Sequence, residues 1–144
     1  MTAARRAVLA LRDDAAPLPD QLSSLVDQYR AVGDLAVDFA ITGEARPVSA
    51  EASLAAYRTA QEALTNARKH SPGQPVTLRL GFEPERVTLD VVNPLPPRRA
   101  QPPLADTGAG YGLTGLRERA MLAGGALEAG PAAGNWQVSL RIPT

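Results

Sequence analysis

The sequence contains no cysteine and a single histidine, His70. Those scarcities exclude a disulfide framework, thiolate zinc or iron–sulfur ligation, a cysteine nucleophile and any multi-histidine metal centre. Aromatic residues make up only 4% of the chain, so a core has to be assembled from Leu, Val and Ala. No apolar run reaches the length needed to span a bilayer. The apolar stretch after Arg5-Arg6 is short and broken at Arg12-Asp13-Asp14, which is too polar for a signal peptide. An excess of charge is missing too: 15 Lys+Arg balance 15 Asp+Glu, so there is no overall basic field to grip nucleic acid or anionic lipid. What is present is a 144-residue chain, 44% hydrophobic, with 12 Gly and 13 Pro. A chain of this size is expected to form one domain and to bury about two-thirds of its unfolded surface. The expectation is a soluble, cytoplasmic domain with no nucleic-acid partner and no direct membrane contact.

Periodicity divides the chain. Residues Arg5 to Arg12 read as a short helical piece, and Pro17 and Pro19 break it. Leu22, Leu25, Val26 and Tyr29 recur at helical spacing between Asp20 and Ala31, and Gly33 is a stop. Leu35, Val37, Phe39 and Ile41 alternate, as in a half-buried strand. Ser49 is placed to cap a long helix from about Ala50 to His70, whose apolar stripe is Leu54, Tyr57, Ala60, Leu64 and Ala67. Val76 to Phe82 and Val87 to Val91 alternate about Glu83-Pro84-Glu85, predicting an antiparallel hairpin. The proline-rich run from about 94 to 111 has no period and predicts a long loop. A helix is expected from about Leu113 to Ala123, capped by Gly124-Gly125. A short strand at Leu127 to Ala129 and a last one at Trp136 to Ile142 complete the order. The fold class is therefore α/β: a two-layer sandwich with a mixed, mainly antiparallel sheet and helices on one face.

Three features carry chemistry. Arg58, Glu62, Asn66 and His70 repeat every four residues on one stripe of the long helix, with Lys69 beside them. A carboxylate and a carboxamide one turn apart can both meet a hydrated Mg²⁺, and Lys69 and His70 can meet phosphate oxygens; a plain solvated helix face is the alternative. Gly110-Tyr111-Gly112-Leu113 opens a helix, where free N–H groups bind anions, although a hinge would look the same. Arg98 and Arg99 in the long loop either reach across a nucleotide or remain solvated.

Taken together, Gln61-Glu62-Ala63-Leu64-Thr65-Asn66 with Lys69-His70 resembles the N box of bacterial sensor histidine kinases, most closely the nitrate-responsive and lipid-fluidity subfamily. Gly110-Tyr111-Gly112-Leu113-Thr114-Gly115-Leu116-Arg117-Glu118-Arg119 resembles the second glycine box, Gly124-Gly125-Ala126-Leu127 the turn after it, and Val138 to Pro143 the ending. The resemblance implies the Bergerat ATP-binding fold of histidine kinases, gyrase and mismatch-repair ATPases, with ATP and Mg²⁺ as ligands. It implies Asn66 as the metal ligand and Glu62 as the residue orienting water or assisting the acceptor. Lys69, His70, Tyr111 and the backbone of Gly110, Gly112 and Leu113 would hold phosphates, beneath a lid at about 94–111. It also implies partners: an upstream dimerisation domain bearing the phosphoacceptor histidine, and a response regulator. Residues 1–16 would be the tail of the dimerisation helix and 17–144 the catalytic domain.

The sequence departs from the pattern in places. The first glycine box, whose aspartate receives the adenine amino group, here reads Asn93-Pro94-Leu95-Pro96-Pro97. Asn93 keeps an acceptor oxygen without the charge. Asp106-Thr107-Gly108-Ala109-Gly110 matches the box in letters, but Gln101 to Ala105 before it is no strand, so the adenine role is assigned to Asn93 and Asp106 to the lid. Trp136, where relatives have Gly-Thr, is read as packing rather than as a wall for the purine. His70 lies inside the N box and is not assigned as the phosphoacceptor. An anti-sigma-type serine kinase on the same fold and a degenerate docking module remain as alternatives. All site assignments require the Asn66 helix and the amides near Leu113 to lie on the same side of the molecule.

Overall fold

The computed structural model describes residues 16–32, 35–95 and 108–144, without the side chains of residues 32 and 108–112. The expectations for Arg5 to Arg12, Gly33, Arg98, Arg99 and Asp106 lie outside the described residues. Helix α1 spans Leu18–Val32, strand β1 Ala36–Thr42, helix α2 Ala50–His70, and strands β2 and β3 Pro75–Glu83 and Arg86–Pro94. Helix α3 follows at Gly108–Leu122, then β4 at Ala126–Ala132 and β5 at Asn135–Pro143. No helix among the described residues is long and apolar enough to cross a membrane.

The strands form one sheet in the order β1-β2-β3-β5-β4. Only β1 and β2 run parallel; the other pairings are antiparallel. Strand alternation sorts the side chains by face. Ile41, Leu80, Leu89, Leu140 and Leu127 lie across one row, and Phe39, Leu78, Val91, Val138 and Ala129 across the next. This face is the core; Leu78, Leu80 and Leu89 are wholly buried. The opposite face carries Arg79, Asp90, Ser139 and Glu128 in one row, with Ser139 Oγ donating to Asp90 Oδ1 at 2.6 Å. One face is polar and the other apolar, so the helices have one place to pack, giving the expected two layers.

The cap of α2 is as the sequence predicts: Ser49 is extended (φ −64°, ψ 160°) and its Oγ accepts from Ala52 N at 3.0 Å. The predicted apolar stripe needs correction. Ala60, Leu64 and Ala67 are buried, but Leu54 is 41% exposed, and the inward line near the helix start runs through Ala52, Ala55, Ala56 and Thr59. Small residues take the inward positions there, and the larger Leu54 is turned out.

The two ends of the loop predicted over about 94–111 belong to regular elements, and its middle, residues 96–107, lies outside the described residues. Pro94 belongs to β3, paired with Asn135, and Leu95 N donates to Gly134 O at 3.0 Å. Helix α3 begins at Gly108, one turn before Leu113. Glycines disfavour helix by about 1 kcal/mol each, yet burial of Leu113, Leu116 and Ala120 holds the helix against the core. The far end closes as a Schellman motif: Gly124 has φ +86°, Gly125 N donates to Ala120 O at 2.8 Å, and Gly124 N to Met121 O at 2.9 Å. Strand β4 is longer than predicted and includes Pro131, tolerated because β4 is an edge.

Leu89 sits at the centre of the core and Leu122 is 83% exposed, so the two should respond oppositely to truncation. Leu89→Ala is expected to cost about 2–5 kcal/mol, and Leu122→Ala less than about 0.5 kcal/mol. Denaturant unfolding of the two variants measures the contrast.

Candidate functional site

The polar stripe lies where the core-facing and solvent-facing sides of α2 meet. Glu62, Asn66 and His70 are half-buried, whereas Arg58 and Lys69 are exposed. Glu62 and Asn66 are one helical turn apart, about 6 Å along the axis. Among the described residues there is no group of three or more His, Asp or Glu side chains able to enclose a metal. The side-chain oxygens of Glu62 and Asn66 are few, and a donor set of that kind fits Mg²⁺, which keeps most of its waters and takes one or two protein oxygens.

Asn66 is held from both sides of its helix. Inward, Ala63, Leu64 and Ala67 are buried in the core. Sideways, Tyr29 of α1 shares a hydrogen bond with Thr65 Oγ1 at 2.6 Å, and the Arg68 guanidinium lies 5.3 Å from the Tyr29 ring centroid. Arg30 of α1 in turn donates from its Nη2 to Val37 O of β1 at 2.7 Å. Helix α1 thus joins the sheet edge to the two residues flanking Asn66 and Ala67.

Asn93 ends the core face of β3 and is 6% exposed. Its cross-strand partner is Trp136, which in turn faces Pro131. Trp136 is half-buried and packs against the core, the packing reading of that residue. Both hydrogen bonds that the Asn93 carboxamide makes among the described residues use its nitrogen, to Ser71 Oγ at 3.3 Å and to Pro94 O at 3.2 Å. Ser71 is the residue that caps α2; its N donates to Ala67 O at 2.7 Å and its Oγ to Pro94 O at 2.8 Å. The end of α2 is thereby tied directly to the end of β3. A serine after a helix carries no local mark of a buried, bridging role, and only the pairing of distant segments reveals it.

Helix α3 packs along α2 and on β4 and β5, on the same sheet face. The Asn66 helix and the amides near Leu113 therefore lie on one side of the molecule, as the site assignments require. Gly110, Tyr111, Gly112 and Leu113 sit within the first turns of α3 rather than ahead of it. With Gly108 as the first helical residue, the amides of Gly108, Ala109 and Gly110 are left without intrahelical acceptors, and those of Tyr111, Gly112 and Leu113 fall in the ladder.

No family model matches the chain. It is 28% identical over 127 residues to the sensor histidine kinase LiaS of Bacillus subtilis, which covers 88% of this chain and 34% of that protein. The chain thus spans about a third of the length of this curated relative. Among solved structures it is similar to the mycobacterial sensor histidine kinase MprB, with a TM-score of 0.61 at 21% identity, covering 89% of this chain and 96% of that one. The blue-light activated histidine kinase EL346 of Erythrobacter litoralis superposes with a TM-score of 0.69 at 19% identity, over 90% of this chain and 42% of that one. The catalytic domain of the histidine kinase ThkA, in a nucleotide-free form, gives 0.63 at 16% identity, over 88% and 90%. The chain has the architecture of a sensor histidine kinase catalytic domain.

Removing the hydroxyl that steadies Thr65 should loosen α1 from α2 without emptying the core. Tyr29→Phe is expected to lower stability by about 1 kcal/mol, read as a reduced midpoint in urea unfolding.

Proposed function

We propose that this chain is the ATP-binding catalytic domain of a sensor histidine kinase. It would hold Mg·ATP and present the γ-phosphoryl group to a histidine on an upstream dimerisation domain, from which a response regulator takes it. Residues 17–144 would form the domain, and 1–16 the tail of the dimerisation helix. The observation that carries this reading is the packing of α2 and α3 on one sheet face, with the buried Asn93 joined to the end of α2.

Phosphoryl transfer asks mainly for positioning and charge neutralisation. Asn66 supplies a neutral oxygen ligand for Mg²⁺, and Glu62, one turn earlier, orients a water of the metal shell or the incoming acceptor. Bound Mg²⁺ supplies charge neutralisation on the phosphates. Lys69 and His70 close the stripe as phosphate contacts. The free amides at the start of α3, Gly110 among them, receive phosphate oxygens at the positive end of the helix dipole, and Tyr111 follows them in the same turn. Gly112 and Leu113 set the backbone path of that turn. Asn93 accepts the exocyclic amine of adenine through its carboxamide oxygen. His70 stays a ligand-holding residue, because a phosphoacceptor has to approach the γ-phosphate in line from outside.

Titration calorimetry with Mg²⁺ and a non-hydrolysable ATP analogue tests the reading. The parent chain is expected to bind, and Asn66→Ala to weaken Mg²⁺-dependent binding by about thirtyfold, near 2 kcal/mol. No heat from the parent chain at millimolar nucleotide would overturn it. Incubated alone with Mg·ATP the chain should not phosphorylate itself; mixed with a histidine-bearing dimerisation domain it should yield acid-labile phosphate.

A further inference from the structure

The hydrogen bonds at the end of β3 have a fixed polarity. The Pro94 carbonyl oxygen can only accept, so the Ser71 hydroxyl 2.8 Å away donates to it. A hydroxyl has one proton, and what Ser71 Oγ offers Asn93 at 3.3 Å is a lone pair. Asn93 answers with Nδ2, which also donates to Pro94 O at 3.2 Å. Turning the carboxamide over would set Oδ1 against two oxygens. Asn93 and Ser71 are 6% and 4% exposed, so bulk water is in no position to compensate.

We infer that Ser71 is a positioning residue for base recognition. Together with the Pro94 carbonyl it locks Asn93 so that Oδ1 is the end of the carboxamide left for a ligand. That end accepts, so it selects a purine bearing an exocyclic amine over one bearing an exocyclic carbonyl. The inference rests on the reading of Asn93 as the purine contact. It also gives a reason for an amide where the resemblance to histidine kinases leads one to expect aspartate. A carboxylate at position 93 would bring an acceptor against the Pro94 carbonyl, and the single Ser71 proton can serve only one of the two oxygens. Asn93 is the residue matched to Ser71 and Pro94, rather than a remnant of a lost site.

The test uses the whole chain, with calorimetric titration of non-hydrolysable ATP and GTP analogues in Mg²⁺ and thermal melts without nucleotide. The parent is expected to prefer the ATP analogue. Ser71→Ala, and Ser71→Cys as a closer isostere, should reduce that preference by about three- to tenfold, the worth of one hydrogen bond, while Ser71→Thr retains it. Asn93→Asp should melt lower than the parent and bind the ATP analogue more weakly, despite its near-identical shape. An unchanged preference in both Ser71→Ala and Ser71→Cys, with Asn93→Ala abolishing it, overturns the role of Ser71 and leaves the Asn93 contact standing. An unchanged preference in Asn93→Ala removes the contact on which the inference rests. An Asn93→Asp chain that melts and binds like the parent overturns the polarity argument.

Discussion

The closeness of α2 to the sheet is the constraint on which the rest depends. Its inward line is built from Ala52, Ala55, Ala56, Thr59, Ala60, Ala63 and Ala67, with Leu64 as the one large side chain. Small residues let the helix backbone approach a Leu/Val sheet face, and the sheet supplies the bulk that the helix lacks. Only at that separation can Ser71, at the end of the helix, reach the end of β3. Larger residues on this line would lift the helix away and part the polar stripe from Asn93.

The joint at Ser71, Asn93 and Pro94 meets two needs together. It satisfies buried polar atoms that would otherwise cost free energy, and it makes a neutral side chain directional. A proline after the strand's asparagine removes one backbone donor, but its carbonyl becomes the anchor from which the polarity of the network is set. The end of β3 is therefore held in order without the usual glycine-box letters.

Particular residues show how far the chain could be read before its structure. Helix α2 was legible over its length, because Ser49 is a strong cap and helical spacing persists as far as His70. The position of Asn93 at the end of a strand was legible from the alternation before it, and there it is buried and hydrogen-bonded. The start of α3 was less legible. Glycines read locally as a hinge, and the helix runs through them because Leu113, Leu116 and Ala120 pack on the core. Leu54 was misplaced since a hydrophobic letter at helical spacing does not reveal which face the sheet will cover.

Periodicity, capping chemistry and turn residues determined the element types, the sandwich class and the polar stripe of α2 by themselves, because those signals act over a few neighbouring residues. Tertiary structure alone decided that β1 lies parallel beside β2, that α3 lies along α2, and that Ser71 meets Asn93. Each of these joins segments distant in the chain, and the energy that selects them comes from burial and hydrogen bonding across that distance, which no local pattern encodes.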